Sequence, residues 1–182
     1  MKDSFEEKQI SSEKVFDGRL LHVYRDQVLL PNGKDGIREY MKHPGAVCVV
    51  PVTDEGNVIV ERQFRYPFHK MILEVPAGKL EAGEEPLEAI KRELREETGG
   101  IAENYIALGA YYPSVAYTDE VIYLYLATGI SFAEQNLDED EFLKVEQIPF
   151  GELIRMVMEG EIQDGKTQTA LLKAYYYLLH KN

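Results

Sequence analysis

The chain has 182 residues, of which 45% are hydrophobic and 10% aromatic, so it can bury the core of one good-sized domain and is not a disordered chain. Its formal net charge of −12 argues against nucleic-acid binding, and the single cysteine, Cys48, excludes an internal disulfide framework. Because the sequence has no apolar leader and no run of about 18 apolar residues, we expect a soluble, cytoplasmic protein that does not enter membranes.

The first predicted elements are strands. Apolar and polar residues roughly alternate through residues 14–30, and the turn-forming sequence PNGKDG follows at 31–36. These patterns predict an N-terminal antiparallel β-sheet. We therefore divide the chain into an N-terminal β-strand segment over residues 1–42 and a main domain over residues 43–182.

The main domain is predicted to alternate strands with helices. Residues 46–53, AVCVVPVT, form a nearly continuous apolar run, which is typical of a strand covered on both faces. The other predicted extended segments are 57–66, 71–80, 104–112, 120–128 and 142–147. The predicted helices are 86–98, 149–160 and 167–180. This order favours an α/β fold, with helices packed against a mixed sheet.

The helix predicted over residues 86–98 carries an excess of acid close to its buried face. Pro86 suits its first turn and Gly99 its end. At roughly 100° per residue, three apolar residues share one face: Leu87, Ile90 and Leu94. Three carboxylates lie at the edge of that face: Glu93, Glu96 and Glu97.

Such a stripe of carboxylates is costly without a cation. Glu93 and Glu97 form a like-charge i,i+4 pair, which costs roughly 0.2–0.5 kcal/mol even when exposed, and partial burial raises that cost. Arg92 can relieve only part of the repulsion. A divalent metal would relieve the rest, and ligands that are all oxygen favour Mg²⁺ or Mn²⁺. The alternative is a solvated acidic helix face in an acidic protein.

The longer stretch over residues 78–100, GKLEAGEEPLEAIKRELREETGG, closely resembles the Nudix box, G-x5-E-x7-R-E-U-x-E-E-x-G-U, in which U is a bulky apolar residue. The residues that fill its positions are Gly78, Glu84, Arg92, Glu93, Leu94, Glu96, Glu97 and Gly99. Only the last position departs, since Gly100 stands there and Ile101 follows. The resemblance implies an α/β/α sandwich around a mixed β-sheet and hydrolysis of a nucleoside diphosphate linked to another group.

The resemblance also implies roles for single residues. The expected metal ligands, for Mg²⁺ or Mn²⁺, are the carboxylates of Glu93, Glu96 and Glu97 and the backbone carbonyl of Ala77. Arg92 would orient these carboxylates, so we count it with Glu96 among the catalytic residues. Glu84 would brace the turn between loop and helix.

The flanking sequences are similar to the ADP-ribose pyrophosphatase group of this family over roughly residues 12–180. The similar segments are HPGAV at 43–47, VERQFRYP at 60–67, YYPSVAYTDE at 111–120 and LDEDEF at 137–142. The similarity implies Mg²⁺-dependent hydrolysis of ADP-ribose to AMP and ribose 5-phosphate. The group's usual Ser-Pro-Gly after Pro113 is here Ser114-Val115-Ala116, so another nucleoside-diphosphate sugar such as GDP-mannose or ADP-glucose stays open as the substrate. A separate alternative is a non-catalytic ADP-ribose sensor.

A general base and substrate contacts are also expected from the resemblance. The base is placed in the acidic loop at Glu139, with Glu141 as second choice, and the alternative is an exposed acidic turn. Arg65 matches a position that contacts substrate phosphate, and the alternative is an arginine paired with a glutamate. The further substrate-binding candidates are Arg38, Glu39 and Gly78. The candidates for stacking on adenine are Phe68, Tyr111, Tyr112 and Tyr117.

A second copy of the chain is the expected protein partner. In the group that the sequence resembles, the N-terminal sheet often crosses to a partner, so that the substrate pocket is shared. The strand-like residues 1–42 would also leave a sheet edge that needs cover. We therefore predict a homodimer that acts on a small nucleoside-diphosphate sugar.

Overall fold

The structure, a computed structural model, describes residues 5–137 and 142–181. It divides into two compact units, one of Met1–Pro44 with Ser114–Val121 and the other of Gly45–Pro113 with Ile122–Asn182. Every helix in the described ranges is too short or too polar to cross a membrane.

The first unit is built on a three-stranded antiparallel sheet. Its strands are β1 (Lys8–Asp17), β2 (His22–Leu29) and β3 (Asp35–Lys42), which are neighbours in that order. The turn predicted between β2 and β3 contains Gly33 with φ of +79°, a backbone conformation that glycine adopts without steric cost. The predicted N-terminal sheet is confirmed, and it starts earlier than residue 14.

The second unit contains the remaining strands and the helices. The strands are β4 (Ala46–Pro51), β5 (Asn57–Arg65), β6 (Lys70–Glu74), β7 (Ala77–Lys79), β8 (Gly100–Tyr111), β9 (Ile122–Phe132) and β10 (Leu143–Pro149). The helices are α1 (Pro86–Thr98), α2 (Phe150–Met158) and α3 (Gly165–His180), and a short 3₁₀ helix spans Tyr66–Phe68. One sheet has the order β7-β4-β9-β8 and the other β10-β5-β6. Because β4 is parallel to β9 but antiparallel to β7, the predicted mixed sheet is confirmed.

Alternate residues of β4 face two separate parts of the core, which gives the α/β/α arrangement. Val47 and Val49 pack in a cluster with Ile90 and Leu94 of α1. On the opposite face, Cys48 packs with residues of α2 and α3. Burial raises the pKa of the Cys48 thiol to about 12, so this cysteine serves as a small apolar residue.

The buried face of α1 differs in one position from the predicted one. Leu87 lies in the first turn and is 39% exposed, whereas Ala89 is fully buried. Glu93 and Glu97 are buried beside Ile90 and Leu94. The packed surface of α1 therefore includes two of the acidic residues that were expected at its edge.

Candidate active site

The site begins at β7, where a glycine lies against a carboxylate. In the antiparallel pair of β7 and β4, Gly78 is opposite Val47. A Cβ atom on Gly78 would lie 1.9 Å from the carboxylate carbon of Glu93, so any larger residue would displace that carboxylate. The neighbouring Ala77 donates its backbone N–H to Glu97 at 3.0 Å. Two of the three predicted metal-binding carboxylates therefore face β7.

Arg92 connects the acidic groups around the helix. Its Nε and Nη2 atoms donate to the two oxygens of Glu84, each at 3.0 Å. Its Nη1 atom donates to Glu93 at 2.9 Å and to Glu96 at 3.1 Å. One guanidinium thus holds three carboxylates, as the orienting role of Arg92 and the bracing role of Glu84 would require. Both roles stay predictions.

The pair of Arg92 and Glu84 shifts the pKa of both groups. The hydrogen bonds from Arg92, together with the backbone N–H of Glu81, hold the pKa of Glu84 below its ordinary value. The pKa of Arg92 is raised, chiefly by its hydrogen bonds to Glu84 and further by Glu93 and Glu96, against the effect of partial burial. Arg92 therefore stays protonated, and Glu84 stays ionised to a lower pH than a free carboxyl group.

The carboxylates of α1 suit a hard divalent cation in their chemistry. In the described part of the chain, no three acidic, histidine or cysteine side chains converge as the ligands of a metal do, since the α1 carboxylates are spread between Arg92 and β7. The ligand atoms of all three carboxylates are nevertheless oxygens, which Mg²⁺ and Mn²⁺ prefer. Because Gly78 has no side chain, the carboxylate of Glu93 can lie against β7. These residues fit either ion, provided that their carboxylates turn toward a common point.

The segment that follows β9 closes the C-terminal turn of α1. Gly99 has φ of +72°, and a Cβ atom there would lie 2.5 Å from the carbonyl oxygen of Ala133. The N–H of Ala133 donates to the carbonyl of Gly99 at 2.7 Å, and the side chain of Gln135 donates to the carbonyl of Glu97. The sequence held no signal for Gln135, because the two residues of this contact are 38 positions apart.

Two family descriptions match the chain in succession. The family described as "NUDIX domain" matches residues 41–169, and the family described as "Nucleoside diphosphate sugar hydrolase N-terminal domain" matches residues 7–41. The chain belongs to the Nudix family. It is a Nudix hydrolase, and α1 with β7 forms its Nudix box.

Named relatives match nearly the whole chain. ADP-ribose pyrophosphatase of Bacillus subtilis (strain 168) is 45% identical over 92% of this chain and 92% of its own. A protein of Bacillus methanolicus named methanol dehydrogenase activator is 42% identical over 97% of this chain and 98% of its own. A solved structure described as "Crystal structure of ADP compounds hydrolase" has a TM-score of 0.86 at 22% identity, with 97% and 96% of the two chains covered. That likeness supports the predicted fold.

In this Nudix hydrolase, Arg65 at the end of β5 is paired with an acid of the neighbouring strand. Its Nε and Nη2 atoms donate to Glu74 at 2.7 and 2.8 Å. The side chain of Glu74 is 3% exposed and that of Arg65 is 40% exposed. The alternative considered from the sequence, an arginine paired with a glutamate, therefore describes these contacts. The role of Arg65 toward a substrate phosphate stays a prediction.

Arg38 and Glu39 lie on β3 in the first unit of the Nudix hydrolase. Arg38 donates to Glu7, and Arg25 donates to Glu39 at 2.9 Å. Both predicted substrate contacts are thus in ion pairs at the surface of this sheet. Two predicted catalytic residues lie outside the described residues: Glu139 and Glu141.

The aromatic candidates for stacking divide by exposure. Tyr111 is partly buried and packs against the core, which leaves less of its ring for a ligand. Phe68, Tyr112 and Tyr117 are 69%, 60% and 68% exposed. Exposed rings are available for stacking, but no contact in the described residues distinguishes one of them.

Sequence reasoning gave no role to two basic residues of the box helix itself, Lys91 and Arg95. A surface pocket of about 850 Å³ runs along α1 and is lined by both Arg92 and Glu96. Lys91 and Arg95 also line it, together with Tyr105 of β8. The i,i+4 spacing of Lys91 and Arg95 was the available signal, because residues four apart lie on the same side of a helix.

Proposed function

We propose that this Nudix hydrolase cleaves the diphosphate bond of ADP-ribose and yields AMP and ribose 5-phosphate. The observation that carries the proposal is the placement of the three box carboxylates on α1, where Arg92 donates to Glu93 and Glu96 and the backbone N–H of Ala77 donates to Glu97. A divalent ion that binds a diphosphate needs oxygen ligands of this kind. The 45% identity to an ADP-ribose pyrophosphatase supports ADP-ribose as the substrate.

The chemistry follows from the charge of the substrate. A diphosphate resists hydrolysis because its negative oxygens repel an incoming nucleophile. Mg²⁺ or Mn²⁺ held by such carboxylates would neutralise these oxygens and would lower the pKa of a bound water molecule. The groups proposed to hold it are Glu93, Glu96, Glu97 and the carbonyl of Ala77. Arg92 keeps two of the carboxylates in place, and positioning of this kind provides much of the rate in phosphoryl transfer.

Two further roles complete the proposal. Glu139, with Glu141 as second choice, accepts the proton of the attacking water. Arg65 donates to a substrate phosphate through Nη1, which lies outside its pair with Glu74. Other proposed substrate contacts are Arg38, Glu39 and Gly78.

A hydrolysis panel tests the proposal. ADP-ribose, ADP-glucose and GDP-mannose are each incubated with Mg²⁺, Mn²⁺ or EDTA, and the products are identified by mass spectrometry. We expect the highest kcat/KM for ADP-ribose, with AMP and ribose 5-phosphate as products, and no turnover in EDTA. The variant Glu97→Gln keeps the size of the side chain, loses its charge and should be inactive. Turnover that continues in EDTA would contradict the metal site.

One observation favours a second candidate, hydrolysis of another nucleoside-diphosphate sugar. The Ser-Pro-Gly of the ADP-ribose pyrophosphatase group is replaced by Ser114-Val115-Ala116, and Val115 is 81% exposed. The same panel decides, since a higher kcat/KM for GDP-mannose or ADP-glucose would replace ADP-ribose as substrate. A sensor that does not cleave ADP-ribose is disfavoured, because all the box carboxylates are present.

We also propose that the protein is a cytoplasmic homodimer joined through its N-terminal sheet. All ten residues of β1 are exposed, and β1 stands at one edge of the sheet. Its apolar residues Ile10 and Phe16 are 56% and 55% exposed. A long strand with unpaired backbone groups and exposed apolar side chains favours pairing with another chain.

A further inference from the structure

A buried group of charges lies between β6 and the start of α3, separate from the box helix. Its centre is Glu74, whose side chain is only 3% exposed. Glu61 is opposite Glu74 in the pairing of β5 with β6, and it is 1% exposed. Buried carboxylates at adjacent positions require cations close by, because their charges are removed from water.

Lys166 supplies the second cation to Glu74, besides Arg65. Its ammonium donates to Oε2 of Glu74 and also to Asp164 at 2.9 Å. The Lys166 side chain is 11% exposed. Burial lowers the pKa of Lys166, but the charges of Glu74 and Asp164 outweigh burial and raise the pKa overall. Lys166 is therefore a charged, nearly enclosed side chain.

The start of α3 fixes the position of Lys166. Asp164 caps this helix by accepting from the backbone N–H of Thr167 at 2.9 Å. Thr167 is fully buried, and its Oγ1 accepts from the backbone N–H of Val75 at 3.1 Å. One helix start thus holds both the side chain of Glu74 and the backbone of the next residue.

This arrangement fixes the orientation of Arg65. Glu74 engages Nε and Nη2 of Arg65, so the guanidinium is held along one edge, and Nη1 lies outside the pair. The hydrogen bonds to Glu74 raise the pKa of Arg65, against burial and with help from the charges of Glu74 and Glu61. A half-exposed guanidinium fixed on one edge presents its other edge in a defined direction, and planar guanidinium groups bind phosphate oxygens well.

We infer that Lys166 is a positioning residue for substrate binding, since it fixes Glu74 and thereby the direction in which Arg65 offers Nη1 to a substrate phosphate. This inference rests on the proposed function. Without Lys166, the carboxylate of Glu74 loses a charged partner at Oε2 and can turn, and Arg65 turns with it. The loss falls on substrate binding, because Lys166 donates to Glu74 and Asp164, which lie outside the Nudix box.

A double-mutant cycle on the full chain tests the inference. We expect Lys166→Met to raise KM about tenfold and to change kcat less than about threefold. Lys166→Arg, which keeps a cation, should restore most of the affinity. In the Arg65→Met background, Lys166→Met should add no further increase in KM. Lys173→Met, an exposed lysine on the same helix, is the matched control and should behave as the wild type.

The outcomes separate this inference from the proposed function. The positioning role would be overturned if KM were unchanged in Lys166→Met or in Arg65→Met. It would also be overturned if Lys166→Met raised KM equally in the wild type and in Arg65→Met. Hydrolysis by the wild type would still support the function in each case. If the wild type cleaves no nucleotide sugar, the proposed function fails. In that case the affinity of the same variants for ADP-ribose is measured by calorimetry. The positioning role is supported if Lys166→Met lowers the affinity of the wild type but not that of Arg65→Met. It is contradicted if the two substitutions lower the affinity additively. Lys166→Gln replaces Lys166→Met if that variant does not fold.

Discussion

Gly78 has no side chain at the point where β7 faces the carboxylate of Glu93. Because a Cβ atom would lie 1.9 Å from the Glu93 carboxylate carbon, Gly78→Ala should push that carboxylate away without unfolding the protein. We expect kcat/KM to fall roughly a hundredfold, as small misplacements of catalytic groups do, with an unchanged circular dichroism spectrum. Gly151→Ala is the control, since a Cβ atom there has open space around it. Equal activity of both variants would contradict a close role for Gly78.

The choice of general base is a second prediction at this scale. Glu139→Gln removes a proton acceptor and keeps the size of the side chain, so kcat should fall by about two orders of magnitude or more. Steady-state kinetics of Glu139→Gln and Glu141→Gln check the assignment. A normal rate in the first variant and a large loss in the second would move the role to Glu141.

The buried carboxylate of Glu74 predicts how the stability of the fold depends on pH in the acid range. Burial alone would raise the pKa of Glu74, but its bonds to Arg65 and the charge of Lys166 outweigh burial and lower the pKa below the ordinary 4.5. A carboxylate with a lowered pKa stabilises the fold above its unfolded pKa, and that stability is lost as pH falls through the folded pKa. In urea denaturation, the free energy of unfolding of the wild type should exceed that of Glu74→Gln most near neutral pH. This difference should shrink below about pH 4.5. A difference that is constant with pH would exclude this linkage.

Among the elements, the junction of α1 and β8 depends on Gly99. Gly99 and Gly160 both have positive φ, +72° and +77°, but only Gly99 would bring a Cβ atom against a carbonyl oxygen. Each change to alanine should cost about 1–2 kcal/mol for the left-handed conformation. Gly99→Ala should cost more than Gly160→Ala, because Ala133 must also move. Urea denaturation of the two variants measures the difference, and equal losses would show that the contact with Ala133 is unimportant.

The helices and strands also show which element boundaries the local sequence pattern predicts. The helix over 86–98 was predicted correctly, because proline and glycine mark its ends and the apolar spacing between them is helical. The strand predicted over 104–112 begins instead at Gly100. Gly100 pairs with Phe132 of β9. Because this pairing joins residues that are distant in sequence, the residues near Gly100 do not by themselves predict where β8 begins.

For the whole molecule, the testable property is the number of chains. Light scattering of the intact protein should give about twice the 20.8 kDa of one chain. Ile10→Glu places a charge on the exposed face of β1, so it should lower the mass toward one chain. Leu179→Glu, at the exposed end of α3, is the control and should leave the mass unchanged. A wild-type mass near one chain would rule out the homodimer.

The sequence by itself determined the box helix and the place of its acids. A helix repeats about every 3.6 residues, so Glu93, Glu96 and Glu97 had to fall on neighbouring positions around one turn, with Arg92 in reach of Glu96. Only the tertiary structure decided that Arg65 is held by Glu74 and that Lys166, 92 positions further along, holds Glu74 in turn. Those partners are set by the register of β5 on β6 and by the packing of α3, and long-range pairing of this kind leaves no local pattern to read.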